Sequence, residues 1–370
     1  MKNQLNIYLE EVCRKGLSEG VFSGVSAGVS IYKNRIHYRG LFSDGWTRLD
    51  HDAVKVQEKT LFDLASLTKP LCTTLCVLHL IAQGKLSWDE PCLASFNMKI
   101  SKEKQKIEIQ HLLNHCSGLP SYRPYFKEFL PEYSYNNKDI LVRMILDEPL
   151  EYATEGTCLY SDLGFILLGA LVENIAGVDL ETLYKKSIIN PLNSSLDLSF
   201  LSFEKENRAD IKLVAATEYC AWRKKQLQGE VHDEHSWLMG GRAGHAGLFG
   251  NIEGVMGLCE HILEAWKDRA THPAFPNALL QHALGKKHPK ESWCLGFDTP
   301  SGISSSGRYF SPQSVGHLGF SGTSFWIDPE KDIVIVLLTN RIYPTRNNIK
   351  IREYRPFFHN YLIHKILSEF

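Results

Sequence analysis

Ser66-Leu67-Thr68-Lys69 places a hydroxyl three residues ahead of an amine, a spacing at which lysine can activate serine as an acyl-accepting nucleophile. The same spacing occurs at Ser30/Lys33, Ser101/Lys104 and Ser202/Lys205, so sequence context has to separate the four. Ser30 and Lys33 lie in a strand-like run, where an odd offset sends two side chains to opposite faces. Ser101/Lys104 sits beside the charged residues 102–106 and Ser202/Lys205 in polar sequence, so both are expected as solvated surface. Only Ser66 heads a long apolar segment, in which Leu71, Leu75, Leu78 and Ile81 recur at helical spacing before Gly84,. Pro70 is tolerated only in the first turn of a helix, so the helix has to begin near Ser66. Ser66 then lies at the positive end of the helix dipole, with Lys69 one turn along on the same side and the Cβ atoms ~5–6 Å apart. Taken alone, the tetrapeptide is better read as an N-capping serine and a surface lysine.

Acyl transfer needs a second proton-handling group, because the leaving group must receive a proton after serine has lost one. Tyr160-Ser161-Asp162 supplies a phenol just ahead of the helical stretch 163–175. The reaction also needs a strand whose backbone can hydrogen-bond an extended substrate and complete an oxyanion hole. Gly316-His317-Leu318-Gly319-Phe320-Ser321-Gly322 opens such a strand, with glycines that permit close backbone approach,.

The elements that must position these groups are legible as patterns. An amphipathic helix over residues 1–12 is followed by a hairpin, 25–32 and 35–42, turning at Lys33-Asn34,. Helical patterns at 139–146, 165–175 and 254–266 fill a long middle segment, and strand patterns return at 320–327 and 333–338 around the turn 328–332,. A last helix runs from about Ile351 to Leu367,. The expected fold is α/β (α+β): an antiparallel sheet flanked by the terminal helices, with a mainly helical lobe inserted. Residues 1–70 plus 289–370 would form the sheet lobe and 71–288 the helical lobe, with the active site at their junction, where substrate clefts usually lie.

Seven blocks in order resemble the penicillin-recognising serine hydrolases, that is, class C-type β-lactamases, DD-carboxypeptidases and related serine esterases. They are Phe62-Asp63-Leu64-Ala65-Ser66-Leu67-Thr68-Lys69, residues 83–89, His111-Leu112-Leu113-Asn114-His115-Cys116-Ser117-Gly118-Leu119-Pro120, Tyr160-Ser161-Asp162-Leu163-Gly164-Phe165, residues 240–249, residues 316–324 and Leu337-Leu338-Thr339-Asn340-Arg341. The resemblance implies a β-lactamase/transpeptidase-like fold. It makes Ser66 the nucleophile, Lys69 its activating partner and Tyr160 the proton shuttle, with His317 in the place of the third-motif basic residue. The backbone N–H groups of Ser66 and Phe320 would form the oxyanion hole, and Asp162, Gly319, Asn114 and Arg341 would support the site or bind substrate. Two positions depart from the family pattern. Asp162 stands where asparagine is usual and would favour a charged Lys69, shifting the base role toward Tyr160. His317 stands where lysine is usual, so activity on carboxylate-bearing substrates should rise as His317 gains a proton near ~6.5. The implied activity is acyl-serine transfer, on D-Ala-D-Ala-type peptides with β-lactams as ligands, or on small acyl esters. A β-lactam sensor that acylates and stalls is the non-catalytic alternative.

At 370 residues the chain has ample core, and 41 Lys plus Arg against 42 Asp plus Glu leave no global field for nucleic acid,. A small-molecule or peptide substrate fits better. Nine cysteines without CxxC spacing suit a reducing compartment rather than a disulfide framework,. The first residues lack a signal-peptide stretch and no run reaches the ~18 apolar residues of a membrane span, so the expectation is a cytoplasmic protein. No cofactor and no metal are expected. His232-Asp233-Glu234-His235 has metal-ligand residue types but no spaced third partner, and is read as a polar loop at the cleft rim,. His111 and His115 read as loop braces and His245 as packing in a glycine-rich turn. Arg341 reads as a carboxylate ligand or an ion-pair partner, and Cys158 as a possible redox-sensitive neighbour of Tyr160.

Overall fold

Alternate residues of the run 333–338 enter two different hydrophobic cores: Ile333, Ile335 and Leu337 one, Val334, Val336 and Leu338 the other. A strand's period of two makes that division and marks a central strand covered on both faces. The computed structural model describes residues 2–33, 36–192, 196–201, 210–285 and 292–369. Helix α1 (Lys2–Ser18) leads into strands β1 (Gly24–Lys33) and β2 (Ile36–Gly45). The Ser66 segment runs as a 3-10 turn (Ala65–Leu67), a π-helical stretch (Lys69–Thr74) and α2 (Leu75–Ala82). Helices α3 (Asp162–Ala176) and α4 (Ile252–Trp266) follow, then strands β3 (Val315–Leu318), β4 (Ser324–Asp328) and β5 (Ile333–Thr339), and α5 (Ile351–Glu369).

The five strands form one antiparallel sheet in the order β2-β1-β5-β4-β3. Its outer face carries Val25, Ala27, Val29 and Ile31 against Leu5 and Leu9 of α1 and Phe358 and Leu362 of α5. On the inner face lies α4, which belongs by sequence to the middle segment. Gly28 permits that contact, since a Cβ there would meet Met256 Sδ and Leu41 Cδ2 at 2.9 Å. The larger core joins this inner face to α2 and α3.

Several expectations change. The strand expected at 320–327 is β4 in its second half only: residues 319–323 form a tight turn after β3, in which Gly319 N donates to Thr323 O at 2.7 Å and Gly322 takes φ +110°. Lys104 is not solvated: it is buried, and its Nζ donates to the carbonyls of Ile145 and Leu146 at the end of the helix Asn137–Asp147, where a cation is favoured by the helix dipole. Asn34 of the expected turn, Ser202 and Lys205 lie outside the described residues. Residues Ala65–Ala82 are long and apolar enough to cross a membrane by length and composition, but 78% of the segment is buried in this core. Cys116 and Cys158 form a disulfide, against the expectation of none; Cys13, Cys72, Cys76, Cys92, Cys220, Cys259 and Cys294 are buried.

Candidate active site

Ser66 is held by backbone contacts that begin three residues earlier. Asp63 is buried on a short strand, and its two carboxylate oxygens accept from Ala65 N (2.8 Å) and His232 N (2.7 Å). Ala65 has φ +49°, in the left-handed region that non-glycine residues enter only when neighbours enforce it,. The bend turns the chain from strand into helix and presents Ser66 at the surface of a cleft. Thr68 Oγ1 donates to Ala65 O (2.6 Å) and accepts from Leu248 N (3.1 Å), so the same turn is tied to the glycine-rich segment beyond Gly244. Pro70 falls in the first turn of the π-helical stretch, where the missing N–H costs nothing,.

Lys69 is fully buried and all three ammonium hydrogens have acceptors: Ser66 Oγ at 3.1 Å, Asp162 Oδ1 at 2.7 Å and His245 O at 3.1 Å. Tyr160 donates its hydroxyl to the same Ser66 Oγ at 2.8 Å. Ser161 fixes the approach of Tyr160 by capping α3: it accepts from Gly164 N and donates to Pro120 O, while its own N–H goes to His115 Nδ1,. The Tyr160 ring is then packed between His115, 4.7 Å between centroids, and Trp293, 5.4 Å. Burial pulls the Lys69 ammonium down, but the Asp162 carboxylate and Tyr160 hold its pKa above the usual lysine value. Burial pushes the Tyr160 phenol up to about 12; Lys69 opposes the shift and Asp162 adds to it. For a phenol, burial works against freeing a base, because it disfavours the anion.

The opposite wall is the β3–β4 turn. Ser321 Oγ donates to Asp63 O (2.6 Å) and Thr323 Oγ1 to Leu64 O (3.1 Å), which brings Phe320 across from Ser66. Gly319 is required for that approach, since a Cβ would lie 2.0 Å from Thr323 Oγ1 and 2.6 Å from Leu64 O. Arg355 of α5 is buried behind the turn and donates to the carbonyls of Gly319 and Thr323 at 2.7 and 2.8 Å. Ser66, Tyr160, His317, Gly319 and Phe320 line a cleft of about 460 Å³, with Trp293, Asp298, Arg341, Arg346, Arg352 and Arg355.

His317 does not carry the expected charge. It is buried, its Nδ1 donates to Leu318 O at 2.9 Å, and burial together with nearby Lys69 depresses its pKa to about 3. Asn114 lies outside the cleft lining and accepts from Cys116 N in the turn beyond its helix. Arg341 reaches the cleft but pairs with no carboxylate among the described residues: it donates to the backbone carbonyls of Phe320, Arg346 and Asn348 and stacks at 4.6 Å over the Phe320 ring. His111 closes a capping box with Glu108, and His115 braces Tyr160, as expected of loop-holding residues. The run 232–235 is not a polar loop. Asp233 caps a short helix, Glu234–Leu238, whose side chains are buried.

Several cleft residues, Arg355 among them, were not anticipated. Trp293, Arg346 and Arg352 come from loops or helix ends with no local signature. Asp298, whose carboxyl burial pushes up to about 7, is paired through its backbone with Gly316 of β3. Asp63 and the Cys116–Cys158 bridge lie behind the site; both stood inside or next to quoted motifs, but only the long-range contacts give them roles.

A buried lysine, a phenol and a serine sharing hydrogen bonds at a cleft mouth are the components of acyl transfer through serine. Comparison with known proteins agrees. The sequence profile of the Beta-lactamase family matches residues 9–356. The N-acetylmuramyl-L-alanine amidase of Bacillus subtilis (strain 168) is 31% identical over 306 residues, covering 78% of this chain and 69% of the relative. A protein of Escherichia coli (strain K12) named "Putative D-alanyl-D-alanine carboxypeptidase" is 29% identical over 335 residues, covering 84% and 77%. The solved structure of EstCE1, a hydrolase with promiscuous acyltransferase activity, shares the fold with a TM-score of 0.72 at 20% identity, over 96% of this chain and 99% of that one. The chain belongs to the Beta-lactamase family and is a serine hydrolase.

Proposed function

We propose that the chain cleaves small peptides or amides that end in a free carboxylate, of the D-Ala-D-Ala type, through an acyl-Ser66 intermediate. The observation that carries this reading is the Ser66 Oγ shared by Lys69 and Tyr160 at one side of a cleft whose other side is arginine-rich. Arg352 is exposed there, and Arg346 is half-exposed though paired with Glu218 and Glu234. The names of the amidase and carboxypeptidase relatives support the same chemistry. In the proposed reaction the Lys69–Tyr160 pair, after losing one proton to solvent, takes the Ser66 proton as Oγ bonds to the carbonyl carbon. The backbone N–H groups of Ser66 and Phe320 face the developing oxyanion. Tyr160 protonates the leaving amine as the C–N bond breaks, and water then releases the acid.

One observation favours a second reading, a carboxylesterase on small acyl esters: His317 is neutral, so the third motif adds no cation for a substrate carboxylate. Incubation with a D-Ala-D-Ala peptide, a short-chain nitrophenyl ester and a chromogenic cephalosporin, with intact-mass detection of acylated Ser66, separates the readings. Turnover of the peptide with a KM that rises at least ~10-fold in Arg352→Ala, with ester kinetics unchanged, is the result expected for a charge-assisted contact. Ester turnover alone supports the second reading, a persistent cephalosporin adduct without turnover supports a sensor, and no mass shift on Ser66 overturns all three.

A further inference from the structure

Asp233, His235 and His245 each offer one ligand atom, and those atoms lie within 4.8 Å of one another. We propose that they form a divalent-metal site, of the kind that zinc fills, beside but separate from the Ser66 cleft. The side chains are poorly satisfied without an ion. His235 is wholly buried, and neither of its ring nitrogens has a hydrogen-bond partner among the described residues. His245 is 1% exposed with Nδ1 likewise unpartnered, while its Nε2 meets Asp233 Oδ1 at 2.7 Å. A buried imidazole with neither nitrogen hydrogen-bonded is unfavourable, and an ion beside Asp233 and His245 would take one nitrogen of His235,.

The donor set suits a borderline ion. Two imidazoles and one carboxylate are a recurring three-ligand set for zinc, with the fourth position open to water. An ion at the centre of the trio has less than about 1 Å to gain toward each atom to reach zinc bonds of ~2.0–2.2 Å. Binding replaces the proton shared by His245 Nε2 and Asp233 Oδ1 with the cation. Asp233 is already oriented for this, because its Oδ1 caps Ser236 N at 2.7 Å, which places His235 in the first turn of the helix Glu234–Leu238. Tyr122 covers the solvent side, its ring 5.3 Å from that of His235 and 39% exposed, so an ion has a short way in. The third ligand comes ten residues beyond His235, from the glycine-rich turn, which is why spacing within residues 232–235 conceals the trio. The site touches the catalytic cluster at one point, the His245 carbonyl that accepts from Lys69 Nζ.

The test uses the full chain, stripped with a chelator, reloaded with Zn²⁺ or Co²⁺ alone, desalted and counted by elemental mass spectrometry. The expected result is one retained equivalent of zinc, a Co²⁺ d–d absorption band of a four-coordinate site, and a rise in melting temperature on zinc addition. All three should be lost in His235→Ala and in the gentler His235→Gln. His51→Ala, which removes the centre of the exposed Asp50-His51-Asp52 trio, should leave them unchanged. Melting in chelator, alike for all variants, shows that they fold. Failure of the unaltered chain to retain zinc overturns the site, as does retention of the equivalent by both His235 variants or its loss in His51→Ala.

Discussion

Asp162→Asn should make the enzyme less stable and, at neutral pH, faster. Asp162 Oδ1 lies 2.7 Å from Lys69 Nζ, with the lysine side chain at 0% exposure and the aspartate at 23%. Two unit charges at that distance attract by about 6 kcal/mol in an effective dielectric of ~20, before desolvation is subtracted. Breaking a buried pair typically costs ~3–5 kcal/mol, and the asparagine oxygen can still accept from Nζ, so about 2 kcal/mol is a reasonable net loss of preference for the charged lysine. That is ~30-fold in the ratio of neutral to charged Lys69 at a fixed pH. The carboxylate raises the pKa of both Lys69 and Tyr160, so its removal makes either base more available. The sign for stability is opposite. A lysine whose folded pKa is raised adds stability that is fully present below its unfolded pKa and is lost as pH rises through the folded value. Asp162→Asn removes that contribution across the neutral range. Second-order rates of Ser66 acylation from pH 5 to 10, by nitrophenol release or intact mass, should show the rising limb moved toward lower pH and the rate at pH 7 up by ~10–30-fold. Thermal melts at pH 7 should shift down. A limb that stays in place, with or without a drop in rate, would refute the claim that Asp162 keeps the proton on the Lys69–Tyr160 pair.

Tyr160→Phe removes the hydroxyl that donates to Ser66 Oγ and should lower kcat by ~10²–10⁴-fold, the usual worth of positioned acid–base catalysis; stopped-flow acylation checks it. His317→Gln should leave the shape of the pH–rate profile between pH 5 and 8 unchanged, since His317 titrates at about 3. Because that folded value lies below the unfolded ~6.5, His317 costs stability as pH falls from about 6.5 toward 3, so His317→Gln should flatten the acid side of a melting-temperature profile. Cys116→Ser opens a bridge across a sequence separation of 42 residues and should lower stability by at most ~4 kcal/mol on the chain-entropy estimate. Reductant should then slow acylation in the unaltered chain and leave the variant unaffected.

Much of the fold could be read from local pattern because its causes are local. Helices α3 and α4 fall close to their apolar periods and β5 to its alternation, while α1 runs six residues past its expected end at residue 12. The misreadings share a cause of another kind. Phe320 reads as the first residue of a strand, yet it sits in a turn, 45% exposed, with Arg341 and Arg346 over its ring and His232 stacked at 5.5 Å. Lys104 reads as surface within a charged run, yet carbonyls some forty positions away make a buried ammonium favourable. In both cases partners distant in sequence decide the environment, and no window of the chain contains them.

The site divides along the same line. Helix start, proline position and apolar period are local, and they single out Ser66 from three rivals before any partner is known. Charge state is not local. Burial of β3 beside Lys69 lowers the pKa of His317 and disfavours its protonated form at neutral pH. The two departures from the family pattern therefore act together on the proposed mechanism. Asp162 adds a negative charge beside Lys69, and His317 withholds the positive one that would oppose it, so both push the cluster toward keeping its proton. A catalyst built this way works best at higher pH than one with asparagine and lysine in those places. On the proposed function, a substrate carboxylate would be met elsewhere, and the exposed Arg352 at the start of α5 is a cation of the cleft lining placed to do so.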